Sequence, residues 1–116
     1  MKIYKEERPW GNFERFTHNE ISTVKILTVN PNEELSLQFH HNRDEFWKVI
    51  DGTGIFTIGD KTKIGKNGDE FFIPKETVHQ IKTSDTSVTI IEIAFGNFDK
   101  NDIVRLKDKY NRTKPE

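Results

Sequence analysis

The sequence predicts an all-β, antiparallel fold, and three observations carry that prediction. The apolar residues are thirteen Ile, nine Phe and six Val against four Leu and one Ala, with eleven Thr besides. Such side chains are stiff at χ1 or aromatic and fit a pleated sheet, whereas the strongest apolar helix formers are scarce. Turn signals recur at close intervals: Asn30-Pro31-Asn32, Asp51-Gly52-Thr53-Gly54, Gly59-Asp60, Asn67-Gly68-Asp69, Thr83-Ser84-Asp85 and Gly96-Asn97. Between them, polar and apolar residues alternate with a period of two.

Taken in order, the segments expected as strands are Asn12–Thr17, Ser22–Val29, Leu35–His40, Glu45–Ile50, Ile55–Ile58, Thr62–Ile64, Glu70–Ile73, Val78–Lys82, Ser87–Phe95 and Ile103–Leu106. Many short strands at this spacing mean a sandwich or barrel. Helix is confined to a turn near Asp99–Asp102. In Leu35–His40, Leu35, Leu37 and Phe39 share one face and Ser36, Gln38 and His40 the other. The polar face holds an amide and an imidazole but no Lys or Glu, which suits a cavity wall better than bulk water. By the same parity Glu45, Trp47 and Val49 oppose Phe46, Lys48 and Ile50. Trp10 and Trp47 are expected in the core or a cavity wall. Gly52 and Gly54 are expected to serve hairpin geometry.

The 116 residues amount to one domain, expected over 1–110, with a flexible polar tail over 111–116. Eighteen basic against nineteen acidic side chains argue against a nucleic-acid binder that neutralises phosphates. The chain has no cysteine, which excludes disulfides, thiolate metal sites and cysteine nucleophiles and fits a reducing compartment. No apolar run approaches the roughly 18 residues of a membrane span, and MKIYKEERPW lacks a signal peptide's apolar stretch. A cytoplasmic protein with neither nucleic-acid nor membrane partners is the expectation. The lysines between Lys61 and Lys75 read as a solvated face.

Three of the four histidines fall in two segments, residues 35–54 and 68–83. Gln38 and His40 lie two apart on one strand face, Glu45 follows a short turn, and His79 can complete the set from another strand. Two imidazoles, a carboxylate and an amide oxygen make a four-ligand N/O metal site with room for water or a ligand. A lone histidine in a β-domain is ordinarily structural. The joint spacing of Gln38, His40, Glu45, Gly52, Pro74 and His79 favours the metal.

These segments resemble the paired motifs of the cupin superfamily, Gly-x5-His-x-His-x4-Glu-x6-Gly and Gly-x5-Pro-x-Gly-x2-His. His40, Glu45 and Gly52 match the first pattern; Gly68, Pro74 and His79 match the second. Gln38 replaces the first histidine, Asn32 or Glu33 the leading glycine and Glu76 the internal glycine. A Gln-x-His pair is similar to the metal ligands of phosphomannose isomerases. ERPWGNFERF (7–16), residues 24–54 and NDIVRLKDKYNR (101–112) further resemble the C-terminal cupin domain of type II mannose-6-phosphate isomerases, here expected to stand without a guanylyltransferase domain. Phe46 stands where those type II enzymes tend to have histidine.

That resemblance implies a double-stranded β-helix, the cupin jelly-roll barrel, with the metal in its mouth and a homodimer through an outer sheet. It also implies interconversion of mannose 6-phosphate and fructose 6-phosphate, without nucleotidyl transfer. A divalent ion would polarise the carbonyl and stabilise an enediolate, zinc being the first choice and nickel, cobalt or manganese alternatives. Arg43, Arg105 and Arg8 are the phosphate-binding candidates, since a guanidinium matches phosphate bidentately. Arg8 and Arg105 could instead be plain salt-bridge partners. Arg43, with Lys25 and Lys48, is also a catalytic candidate; a strand lysine near a metal serves as proton shuttle if its pKa is depressed. His41 has the wrong parity to join the ligands. The competing readings are a metal-containing cupin that binds a sugar or small acid without turnover, and another cupin enzyme such as a dioxygenase or sugar epimerase.

Overall fold

A computed structural model describes residues 3–111 of the chain, so the expected tail lies almost wholly outside the described residues. These residues form ten strands: β1 (Tyr4–Arg8), β2 (Gly11–Arg15), β3 (Ser22–Val29), β4 (Leu37–Phe39), β5 (Glu45–Ile58), β6 (Lys61–Lys66), β7 (Glu70–Ile73), β8 (His79–Lys82), β9 (Val88–Phe95) and β10 (Val104–Lys107). Every strand pairing among them is antiparallel. No described residue is helical; the segment near Asp99–Asp102 is a turn closed by the Asp102 N–H donating to the Asp99 carbonyl at 3.0 Å. Among the described residues no helix is long and apolar enough to cross a membrane.

The architecture turns on β5. Its first half pairs with β7 and β9, and β9 pairs in turn with β3. Its second half pairs with β6 and β8, and from β8 the sheet continues through β4 to β10. One 14-residue strand thus belongs to both walls of a curled barrel. The sequence splits this strand at Asp51–Gly54; the structure keeps it continuous through a bulge between Val49 and Asp51, with Gly52 at φ 79°. Bulges bend a strand without ending it, and glycine supplies the left-handed backbone. Gly52 therefore makes a corner where a hairpin was expected.

The parity read from the sequence sorts inside from outside. Glu45, Trp47 and Val49 are at most 1% exposed. They join Val29, Phe56, Ile73, Ile81, Val88 and Ile90 in the interior. Phe46, on the outer face, is also buried, because Phe16 stacks on it with ring centroids 5.4 Å apart. Phe16 follows the β1–β2 hairpin, a separate two-stranded sheet further tied down by Glu14 to Lys48 at 3.1 Å. β1 went unrecognised because its YKEER sequence has no apolar alternation. Trp10, expected in the core or a cavity wall, lies at the hairpin tip and is 73% exposed.

Candidate metal centre

Strand register brings the chemistry together. In antiparallel sheets residues directly opposite one another share a face. Arg105 on β10 pairs with Gln38 on β4, Gln38 with His79 on β8, and His79 with Ile58 on β5, forming one row across the interior. On the other wall Lys25, Glu92 and Trp47 form a row, with Glu45 two residues from Trp47 on the same face.

His40, Glu45 and His79 form a group able to hold a metal ion: one ligand atom from each lies within 4.8 Å of the others, and all three are buried. Both imidazoles are set for ligation through Nε2. The His40 Nδ1–H donates to the Asp102 carbonyl at 2.6 Å, and the His79 Nδ1–H to the Thr77 carbonyl at 2.9 Å. A carbonyl only accepts, so each ring carries its proton on Nδ1 and presents a bare Nε2. His79 Nε2 is buried with no hydrogen-bond partner, and His40 Nε2 lies 3.3 Å from Glu45 Oε2. Trp47 forms the floor, its indole N–H donating to Glu45 Oε1 at 3.0 Å and its ring meeting the His79 ring edge-on. A bare buried imidazole nitrogen beside a carboxylate is a donor set that fits a divalent cation.

Burial pushes both histidines below the ordinary imidazole pKa, against the pull of Glu45. Burial pushes Glu45 upward, but the neighbouring imidazoles and the Arg43 guanidinium outweigh it, and its carboxyl stays below the usual range. Neutral imidazoles and an ionised carboxylate are the forms that ligate.

Arg43 is 5% exposed and lies within the cluster: its Nε–H donates to Glu45 Oε2 at 2.8 Å, and an Nη–H to His40 Nε2 at 3.1 Å. Its guanidinium also covers the Phe98 ring at 4.5 Å, and Lys25 Nζ lies 4.5 Å from the same ring. Lys25 further approaches Glu92 at 3.8 Å. A cavity of about 40 Å³ is lined by Leu27, Leu35, Ser36, Gln38, Arg43, Glu92 and Arg105. Gln38 Oε1 accepts the Ser36 hydroxyl at 3.0 Å.

Two expected residues are not brought to this group. Lys48 points to the outer face, between Glu14 and Glu70 at 3.1 and 3.3 Å. Burial pulls its pKa down, but those carboxylates outweigh it and leave it raised, the opposite of what a proton shuttle needs. Arg8 is exposed on the hairpin, where its Nε–H donates to Glu6 at 2.6 Å. His41 faces outward, 3.3 Å from Glu76.

Sequence reasoning missed Asp102, whose carboxylate accepts the backbone N–H groups of His41 and Asn42 at 2.8 and 2.9 Å. Phe98 also went unnoticed, since a loop residue has no periodicity to betray it. Glu92 did leave a signal, as the lone charge in the apolar run VTIIEIAF. Glu76, standing where the motif has glycine, keeps a glycine-like φ of 68°, and its N–H donates to the His40 carbonyl at 2.7 Å.

A barrel of antiparallel strands with a His/Glu/His centre inside it is a cupin. Solved structures agree on the fold. CapF, a capsular polysaccharide assembling protein from Staphylococcus aureus, superposes with a TM-score of 0.65 at 20% identity over 92% of this chain and 33% of that one. Oxalate decarboxylase from Bacillus subtilis gives 0.69 at 20% identity over 75% and 24%. Residues 2–108 match the family described as mannose-6-phosphate isomerase C-terminal, and the chain belongs to that family.

Among curated relatives, mannose-1-phosphate guanylyltransferase 2 of Escherichia coli O157:H7 is 36% identical over 105 residues, which are 89% of this chain and 22% of that protein. The alginate biosynthesis protein AlgA of Pseudomonas aeruginosa is 38% identical over 108 residues, 91% and 22% respectively. The chain thus spans under a quarter of the length of these relatives. They overturn the expected activity. The related proteins are named for guanylyl transfer and polysaccharide biosynthesis, and the expectation of an enzyme that interconverts mannose 6-phosphate and fructose 6-phosphate is corrected accordingly.

Proposed function

We propose that this chain is a metal-holding, ligand-binding cupin module of a mannose-1-phosphate guanylyltransferase system, and that it takes up a sugar phosphate at the barrel mouth. His40, Glu45 and His79 would hold the ion, with Gln38, the register partner of His79 on the neighbouring strand β4, as the fourth ligand. Imidazole and carboxylate donors without thiolates suit zinc first, then nickel, cobalt or manganese. When bound, the ion supplies a Lewis-acidic centre for the ligand's oxygens.

The chain's own residues do the rest. Asp102 and Thr77 hold the imidazole tautomers through their carbonyls, and Trp47 steadies the carboxylate. Arg43 and Arg105, lining the cavity with Gln38, offer guanidinium donors to a phosphate. The observation that carries this reading is the bare, buried Nε2 of His79 facing Glu45 and His40.

Metal analysis of the purified chain tests it, followed by calorimetric titration with mannose 1-phosphate in the metal-loaded and metal-stripped states. The expected result is near-stoichiometric metal, lost in His79→Ala and Glu45→Ala, and sugar-phosphate binding that depends on it. Retention of metal by both variants would exclude these ligands.

A further inference from the structure

Arg43 holds the lone pairs that a divalent cation at this centre would need. Its Nε–H engages Glu45 Oε2 and its Nη–H engages His40 Nε2, so two of the three ligating side chains already serve the chain's own cation. We propose that Arg43 is a built-in competitor for the metal, and that metal uptake releases its guanidinium to bind an oxyanion at the barrel mouth. This rests on the metal-centre reading given above.

The physical reasons are steric and electrostatic. A cation bonded to His40 at about 2.0–2.1 Å takes the one lone pair to which the Arg43 Nη–H now donates, and a cation bonded to Glu45 competes with the Arg43 Nε–H for Oε2. The guanidinium does not deprotonate in proteins, so it cannot yield by shedding its charge and must give up these contacts instead. Two positive charges sharing one carboxylate also repel one another. Arg43 has somewhere to act once displaced. It already lines the cavity shared with Gln38 and Arg105, and its flat face lies on Phe98.

Linkage follows. An oxyanion that engages the released guanidinium stabilises the metal-loaded state, so anion and metal each raise the affinity for the other by the same factor. The ligand class is a phosphate monoester or a similar tetrahedral oxyanion, which a guanidinium meets with paired hydrogen bonds.

The test is titration of cobalt(II) into the metal-stripped full chain, read by calorimetry and by the visible absorption of the bound ion. It compares wild type, Arg43→Met and Arg43→Lys in sodium chloride and in sodium sulfate of equal ionic strength. The expected outcome is cobalt affinity about tenfold or more higher in Arg43→Met, the scale on which groups contacting metal ligands act. Arg43→Lys, which keeps the charge but loses the fork, falls between the two. Sulfate tightens cobalt binding to the wild type several-fold and leaves Arg43→Met unmoved.

Circular dichroism of each metal-free variant establishes that it is folded; if Arg43→Met is not, Arg43→Lys and the sulfate dependence of the wild type carry the comparison. Cobalt affinity unchanged or weakened in folded Arg43 variants, or sulfate indifference of the wild type, overturns the competition while leaving the metal centre standing. Absence of cobalt absorption in the wild type and every variant overturns the metal centre itself, and the competition with it.

Discussion

Replacing Gly52 by alanine tests the corner of β5. A Cβ at this position would lie 2.0 Å from the Ser87 carbonyl oxygen and 3.2 Å from Val88 Cα, both backbone atoms of the partner strand that cannot rotate away. The residue also sits at φ +79°, where an L side chain costs roughly 1–2 kcal/mol. To make room, β9 must retreat, lengthening the Thr53 N–H to Ser87 carbonyl bond, already 3.3 Å. That adds about 0.5–1.5 kcal/mol for the bond and about 1–3 kcal/mol for the crowding.

Gly52→Ala should therefore lose about 3–5 kcal/mol of stability. Gly68→Ala is the matched control, with φ +93° and nothing within 4 Å of the added atom. It should lose only the backbone cost of roughly 1–2 kcal/mol. Urea denaturation reads the difference: with an m-value of about 1.5 kcal/mol/M, the midpoints of the two variants should differ by roughly 2 M. Because Glu45 begins β5 and Ile58, the register partner of His79, ends it, metal affinity should fall in Gly52→Ala and hold in Gly68→Ala. Equal, small losses in the two variants would refute the close approach on which the bend depends.

Glu76→Gly should be neutral or stabilising by up to about 1 kcal/mol, since it relieves a left-handed backbone at φ 68° at the expense of chain entropy; thermal melts check it, and a clear loss would show that the His41 contact matters more. Metal-free protein should weaken in acid in two stages. His40 and His79 have folded pKa values below their ordinary 6.5, so their stabilisation is complete above that pH and is lost as pH falls toward the folded values. Glu45, also lowered, adds a further loss beneath about 4.5. Urea midpoints measured across pH 4–8 should decline first near 6.5, and a flat profile down to 5 would contradict the buried, neutral imidazoles.

Much of the fold was legible because period-two alternation is a local signal. Ser22–Val29 and Glu70–Ile73 keep the bounds read from the sequence, and Glu45, Trp47 and Val49 face inward as their parity requires. What was illegible is what only tertiary contact creates. Asp51–Gly54 looks like a turn, and nothing local distinguishes a hairpin from a bulge that bends a strand into a second sheet. The exposed hairpin strand β1 has no apolar face to announce it. Four ligand candidates, Gln38, His40, Glu45 and His79, follow from spacing, and the structure groups the last three, but the lodging of Arg43 on Glu45 and His40 could not be read there. An arginine two residues from a glutamate reads equally well as a partner for a ligand. Activity lay furthest from the letters, since a domain shared by differently named proteins does not by itself specify a reaction.

Asp102 has a consequence for the order in which the molecule matures. Its main-chain oxygen, 62 positions along the chain from His40, is what determines which nitrogen of that imidazole is protonated. Its carboxylate holds the backbone of the two residues that follow His40. As the polypeptide emerges from the ribosome, His40, Glu45 and His79 are all made well before this anchor. The donor set at His40 is complete only when the segment carrying Asp102 has been made and has docked, so a late stretch of backbone sets when this imidazole can present its Nε2.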